Sequence, residues 1–408
     1  MANTLLASDV VLAESLRLFL NENALIRAVN KQYSDEFARD GAKIGSTVRI
    51  RKPNDYTVRS GPALSVQDTA ESSITLTVNQ QKGVDISFDT ASRSLTIDRY
   101  SERYLKPMIN NLAGEVAKDL MAAVEGVCNY TALTDGSNNV VAPTAATWLK
   151  AGAVLDQASV PRANRMAIMH PMTQANTVSS MSGLFNPGGA IASQYRSGQI
   201  SGATLGISEW MMDQTVLVRT AGTFSAGGTV NGANQTGSSI TVNATTGTLK
   251  KGDIITFAGV NSVNRVTKES NGTLMQFAVT ADVATSATTI PIYPPLTPPS
   301  GGSKVQYQTV TASPANSAVM ALVNKASEVT RKNIVMIPEA LTLATVDLVK
   351  PTGAVMECSQ MTHDGVTMRM LTDYLPGTDQ IVTRLDVLYG VLLVRPEFAC
   401  IVSDSNAL

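Results

Sequence analysis

Histidine and cysteine are nearly missing from this 408-residue chain, which holds two of the first and three of the second. His170 precedes Pro171 and His363 precedes Asp364, and neither has a second histidine or cysteine at ligand spacing, so neither reads as a metal ligand or a catalytic base. Cys128, Cys358 and Cys400 are far apart and odd in number, which excludes a disulfide framework or a zinc knuckle and predicts buried free thiols. No lysine-bearing phosphate loop, dinucleotide fingerprint or nucleophile elbow occurs. Gly301-Gly302-Ser303-Lys304 lacks a following helix pattern and reads as a connector, and the sequons at Asn129, Asn234, Asn243 and Asn271 are what Thr-rich sequence produces by chance. The expectation is a protein that is not an enzyme and uses neither cofactor nor metal.

Net charge is also missing. The 32 Lys and Arg stand against 33 Asp and Glu, which argues against a dedicated basic surface for tight nucleic-acid binding. No stretch is apolar enough to span a bilayer. Asp9 and Glu14 interrupt the first apolar segment, with no basic start before an unbroken hydrophobic run, so no signal peptide is expected. The expected setting is a reducing cytoplasm, without a membrane partner.

What is present is a long apolar stripe. Leu105, Met108, Ile109, Leu112, Val116, Leu120, Val124 and Val127 recur every three or four residues and predict one helix over 101–130, roughly 40 Å long. Ser101 suits its N-cap, Pro107 its first turn, and Gly126 with Asn129 its fraying end. Leu5 to Asn30 is a second helical pattern, which reads equally as a helix packed on its own domain or as an arm lying on a neighbour.

Between these helices the periodicity switches to two. Val48 and Ile50 alternate with Arg49 and Arg51, and alternation resumes at Ile74, Leu76 and Val78 and again at Val84, Ile86 and Phe88. Some twenty polar, Pro- and Gly-marked residues between the first two runs make a long hairpin whose tip cannot bury itself. After a mixed helical region at 143–210, Thr220 to Gln308 is rich in Thr, Gly, Ser, Asn and Val and nearly free of helix signals. There SSITVNATTGTLKKGDIITFAGV reads as strand, turn and strand, with Lys251-Gly252-Asp253 as the turn. Mixed helix and strand return at Val319, and the chain ends in buried strands. The fold class is α+β with an inserted all-β domain.

Three segments carry a family resemblance: YSERYLKPMINNLAGEVAKDLM at 100–121, SSITVNATTGTLKKGDIITFAGV at 238–260, and LYGVLLVRPEFACIV at 388–402. With the order of elements, they resemble the major capsid proteins of tailed bacteriophages with the HK97-type fold, most closely the P22-like coat proteins with their inserted β-barrel domain. The resemblance implies an N-terminal arm at 1–43, an extended loop at 44–89, and a peripheral domain at 90–144 and 386–408 with a spine helix at 101–130. It also implies an axial domain at 145–214 and 311–385, and an inserted barrel-like β-domain at 215–310. It implies a homo-oligomer of hexons and pentons forming an icosahedral shell around double-stranded DNA held without sequence reading, together with a scaffolding protein and a portal protein. Assembly in a bacterial host cytoplasm follows from it.

One departure is visible. The segment GTFSAGGTVNGANQTGSS at 222–239, where P22-like coats carry a polar loop that ties subunits together, has no charged residue, so hydrogen bonds, the arm or the extended loop must compensate. Arg49, Arg51 and Arg59 on the extended loop are the candidate contacts with carboxylates of a neighbouring subunit; the alternative is a solvated loop face. Some HK97-type capsids cross-link their subunits covalently, a part that the resemblance would give to Lys52 or Lys82, but nothing in the sequence supports such a bond and none is expected. Two other functions remain open: an encapsulin-like compartment shell, which has no need of the inserted domain, and an adhesion or carbohydrate-binding protein, which leaves the long helix unexplained.

Overall fold

The computed structural model describes residues 8–31, 47–52, 54–59, 61–64, 66–67, 72–89, 106–181, 200, 203–299, 305–351, 357–377 and 380–405. The chain divides into two compact units. One comprises Met1–Ile50, Ser73–Ala123 and Leu341–Val394, and the other Arg51–Ser72, Val124–Ala340 and Arg395–Leu408.

The first unit is built on the 14-residue strand Gln380–Leu393. Alternating Ile381, Thr383 and Leu385 are buried along its first half, and burial is continuous from Leu385 to Gly390 where helices cover it. It pairs antiparallel with Gln80–Asp89, with Val366–Leu375 and with Leu341–Val346, and Glu357–His363 adds an edge. Gly390 is required here, because a Cβ would stand 2.4 Å from the Thr77 carbonyl oxygen.

The helix Lys106–Ala123 lays Met108, Ile109, Leu112, Val116 and Leu120 on this unit's core, as the apolar stripe predicts. It is shorter than the expected 101–130. Residues 101–105 lie outside the described residues; the far end tightens into a 3-10 turn at Val124–Gly126, and Asn129–Thr134 is a strand. Val124 and Val127 are buried as the stripe implies, but in a turn that aims the chain into a sheet.

The helices Ser8–Glu22 and Ala24–Ala28 fold onto this same unit, burying Leu12, Leu16, Phe19, Leu25 and Ile26. Asn23 separates them: its Oδ1 accepts from the Leu25 and Ile26 amides at 2.9 and 3.2 Å and caps the second.

The second unit holds a mixed sheet. Its order runs Val140–Val141, Asn129–Thr134, Ala399–Ser405, Val329–Met336, Met166–Met169, Glu209–Met212, with Val218–Thr220 also on Val329–Met336. Asn129–Thr134 runs parallel to Ala399–Ser405, a pairing of residues some 270 positions apart. Beside the sheet lie the helices Ala145–Gln157 and Pro171–Ser180, joined by Trp148, whose Nε1 donates to Thr177 Oγ1 at 3.2 Å.

The Thr- and Gly-rich stretch forms a five-stranded antiparallel sheet in the order Gly237–Thr241, Thr289–Leu296, Phe277–Val279, Ile254–Phe257, Met320–Leu322. It closes over its own core of Ile240, Ile255, Phe257, Phe277, Ile290 and Val310. The expected turn is present: the Asp253 amide donates to the Lys250 carbonyl at 3.0 Å, and Gly252 takes φ +80°. A Cβ there would also stand 2.8 Å from the Glu125 carbonyl oxygen, so this position tolerates glycine alone.

The unit boundaries differ from the expected domain boundaries. The expectation separates residues up to 385 from those from 386 on, whereas Gln380–Leu393 is one unbroken strand paired with both Leu341–Val346 and Val366–Leu375 in the unit that holds the long helix. A composition change marks where burial changes along a strand, which is not where a domain ends.

Candidate functional site

The expected contact residues sit on the loop rooted by the strands Thr47–Arg51 and Ser73–Thr77, which pair with each other. Alternation turns Ile50 into a core with Leu76 and Val78 and leaves Arg49 and Arg51 exposed. Arg59 is exposed too, but it serves its own loop, donating from Nη1 to the carbonyls of Gly61 and of Ala63, the second at 3.0 Å. The limbs of the loop are tied by Gln67, which accepts from the Thr57 amide at 2.9 Å and donates to its carbonyl at 2.6 Å.

This shaped loop carries exposed apolar side chains. Tyr56 is 63% exposed, Val58 95%, Leu64 85% and Val66 73%. Four large hydrophobic residues this exposed within eleven positions of one loop make an apolar surface of the kind that marks a binding face.

At the root of the loop the second unit encloses a cleft of about 720 Å³. Asp55 pairs with Arg265 there at 2.9 Å, and the Tyr293 hydroxyl donates to Glu397 Oε2 at 3.1 Å. Burial, followed by the negative charge of Glu397, pushes the Tyr293 hydroxyl pKa up. Lys52, its Nζ 5.9 Å from the Tyr293 ring centroid, is half-buried, and burial lowers its pKa, as it does that of Lys268. Of the lysines positioned for a cross-link, Lys52 therefore lines the cleft, while Lys82 is held on the long helix by Asp119 at 2.7 Å and Glu115 at 3.2 Å.

A second polar cluster lies buried at the root of the five-stranded sheet. Asp253, fully buried, accepts from Arg219 Nη1 at 3.0 Å and Asn324 Nδ2 at 3.3 Å on one oxygen, and from the amides of Gly222 at 3.0 Å and Lys250 at 2.8 Å on the other. Glu125 adds a second carboxylate 3.5 Å from Arg219. Lys332 donates to Ser403 Oγ at 3.1 Å and stands 4.9 Å from the Tyr130 ring centroid. Burial first, and Arg219 second, push its pKa down to about 7. The sequence signal for this cluster is Arg331-Lys332 inside an otherwise strand-like run, a pattern that sequence reasoning passed over.

Neither histidine gathers a site. His170 caps the helix Pro171–Ser180, its Nδ1 accepting from the Met172 amide at 3.2 Å, and His363 ends an edge strand. Among the described residues no three His, Cys, Asp or Glu side chains group as metal ligands, and no helix is long and apolar enough to cross a membrane. Cys128 and Cys400 are buried free thiols whose pKa values burial pushes up to about 12; Cys358, half-buried, departs from the expectation. The charge-free stretch 222–239 spends its polar groups locally, Gln235 donating to the carbonyls of Asn231 and Thr241 and accepting from the Thr241 amide. Gly301 to Lys304 lie outside the described residues.

The family model described as "P22 coat protein - gene protein 5" matches residues 1–402. Among solved structures, one from Mycobacterium phage Che8 is 15% identical over 94% of this chain and 90% of its own, with a TM-score of 0.45. The capsid structure of the cyanophage P-SCSP1u is 11% identical over 90% and 85%, with a TM-score of 0.43. The CUS-3 coat protein I-domain is 31% identical over 26% of this chain and 96% of its own, with a TM-score of 0.18. No curated protein matches.

Proposed function

The chain belongs to the P22 coat protein family, and from that membership we propose how it works as the major capsid protein of a phage virion, whose subunits assemble into an icosahedral shell. The exposed apolar tip of the loop carries the proposal: Tyr56, Val58, Leu64 and Val66 are covered when the loop lies on an adjacent subunit. A shell closes through many modest interfaces repeated by symmetry, so a tip that is unsatisfied in one subunit is satisfied in the assembly.

In this reading the fold is of the HK97 type. Residues 44–89 are its extended loop, the long helix is its spine, and residues 215–310 are an inserted domain on the outer face. Arg49 and Arg51 meet carboxylates of the neighbour, while Arg59 contributes by shaping the tip. A scaffolding protein guides assembly in the host cytoplasm, a portal occupies one vertex, and double-stranded DNA is packed without sequence reading. The near-neutral chain suits that last task, because a strongly basic wall would hold DNA against packaging and ejection.

The experiment is electron microscopy of the chain expressed in bacteria, with and without a candidate scaffolding protein. Closed shells, or tubes and aberrant shells made regular by scaffold, are expected; a chain that stays monomeric under every condition refutes the proposal. Reversal of Arg49 and Arg51 together is expected to reduce closed particles, and normal particles from that variant would remove the arginines from the interface.

A further inference from the structure

Among the described residues, the cleft in the second unit is lined by more positive than negative side chains. Its lining includes five cations, among them Lys52, Arg265, Lys268 and Arg395, against the two carboxylates Asp55 and Glu397. Both carboxylates are engaged, Asp55 by Arg265 at 2.9 Å and Glu397 by the Tyr293 hydroxyl at 3.1 Å. Lys52 and Lys268 are half-buried, and neither forms an ion pair with a described carboxylate; beyond the Tyr293 ring near Lys52, the contact left to them is Lys268 Nζ to the Gln308 carbonyl at 3.5 Å. Glu397 attracts Lys52 and Asp55 attracts Lys268 only at a distance, with cationic Arg265 opposing both; partly desolvated ammonium groups without a direct ion pair are costly, and an arriving anion lowers that cost.

The size and place of the cleft say which anion. At about 720 Å³ it takes several residues of polypeptide, far more than one small ion needs. Part of its wall is the loop root, Lys52, Asn54, Asp55 and Ser72, continuous with the loop whose tip exposes Tyr56, Val58, Leu64 and Val66. A chain with 33 acidic and 32 basic residues, whose described cleft lining holds five cations and two carboxylates, is net negative over the rest of its residues, the sign that complements the recess.

We propose that this cleft receives an acidic segment of a neighbouring copy of the chain, its carboxylates set against Lys52 and Lys268. The proposal rests on the shell reading and adds to it a specific charged socket. The surplus charge is then an assembly device: it disfavours an empty socket in the free subunit and is neutralised when subunits meet.

The test uses shells assembled from equal parts of ¹⁴N- and ¹⁵N-labelled full-length subunits, treated with a zero-length carboxyl-to-amine coupling reagent and read by mass spectrometry. Mixed-isotope links from Lys52 or Lys268 to an acidic peptide are expected. Links confined to one isotope, or none at these lysines, overturn the proposal. In parallel, Lys52→Met with Lys268→Met should leave the melting temperature of the unassembled subunit equal or higher while raising the critical assembly concentration about tenfold at low salt, a gap that closes near 1 M salt. A variant that assembles as the wild type does overturns the socket and leaves the shell reading intact; wild-type chains that never associate overturn both. Protection of the free subunit by inorganic phosphate, without mixed links, would reassign the cleft to a small anion and equally overturn the proposal.

Discussion

Replacing Lys332 by methionine should stabilise the unassembled subunit at pH 6, and the gain should disappear as the pH rises. Lys332 is 5% exposed in the middle of the strand Val329–Met336, and burial, with Arg219 beside it, lowers its pKa from 10.5 to about 7 against the smaller pull of Asp253 and Glu328. In the unfolded chain the lysine keeps its ordinary value. Between about pH 7 and 10.5 the unfolded state therefore holds a proton that the folded state has released, and stability rises with pH across that window. Below about pH 7 the folded protein bears the whole cost of a buried ammonium. At ~1.4 kcal/mol per pH unit that cost, which already includes the pull of Asp253 and Glu328, is on the order of 3–5 kcal/mol.

Methionine fills nearly the same volume and carries no charge, but it forfeits the hydrogen bond to Ser403 and the cation–π contact with Tyr130, together about 1–2 kcal/mol. The variant should then be about 2–3 kcal/mol more stable at pH 6 and about 1 kcal/mol less stable at pH 10. Urea titrations of both proteins followed by circular dichroism at pH 6, 8 and 10 measure this. Other titrating groups are common to both chains and cancel in the difference. A difference that does not change with pH, or a variant already weaker at pH 6, refutes the account of Lys332.

Asp253→Ala should cost about 3–5 kcal/mol in the same titration, because it leaves a buried guanidinium with only the longer Glu125 contact and strands two amides, while Asp253→Asn, which keeps the shape and loses the charge, should fall between. Gly390→Ala should destabilise by about 1–3 kcal/mol or more, read as a lower melting temperature, since its new methyl group would meet the Thr77 carbonyl oxygen at 2.4 Å. Gly114→Ala, inside the long helix with nothing within 4 Å of the new methyl group, should stabilise by about 0.5–1 kcal/mol; equal effects at the two glycines would contradict the packing argument.

The parts of the fold legible in the sequence are those decided locally. The stripe from Met108 to Leu120 reports a helix because its period is set by neighbours three and four positions away, and Lys251-Gly252-Asp253 reports a turn because Gly252 alone supplies the needed backbone angle. Asn129–Thr134 failed to read as a strand because its partner, Ala399–Ser405, is some 270 positions away, and Val124 and Val127 continue the helical spacing past the true helix end. The boundary expected near 385 differs from the edge of the compact unit for a related reason: Gln380–Leu393 changes its burial pattern midway while remaining one strand.

The candidate surfaces are harder to read than the fold, and assembly is the reason. An enzyme's site concentrates reactive groups, so its sequence carries an excess of something. A surface that waits for another copy of the same chain shows up as a deficit: exposed apolar side chains at Tyr56, Val58, Leu64 and Val66, and two half-buried lysines that form no ion pair with a described carboxylate. Arg59 illustrates the difficulty, since the same charged side chain that the sequence offers as a contact also bonds the carbonyls of its own tip. Deficits of this kind need coordinates, because only the packed subunit reveals which groups its own fold has failed to satisfy.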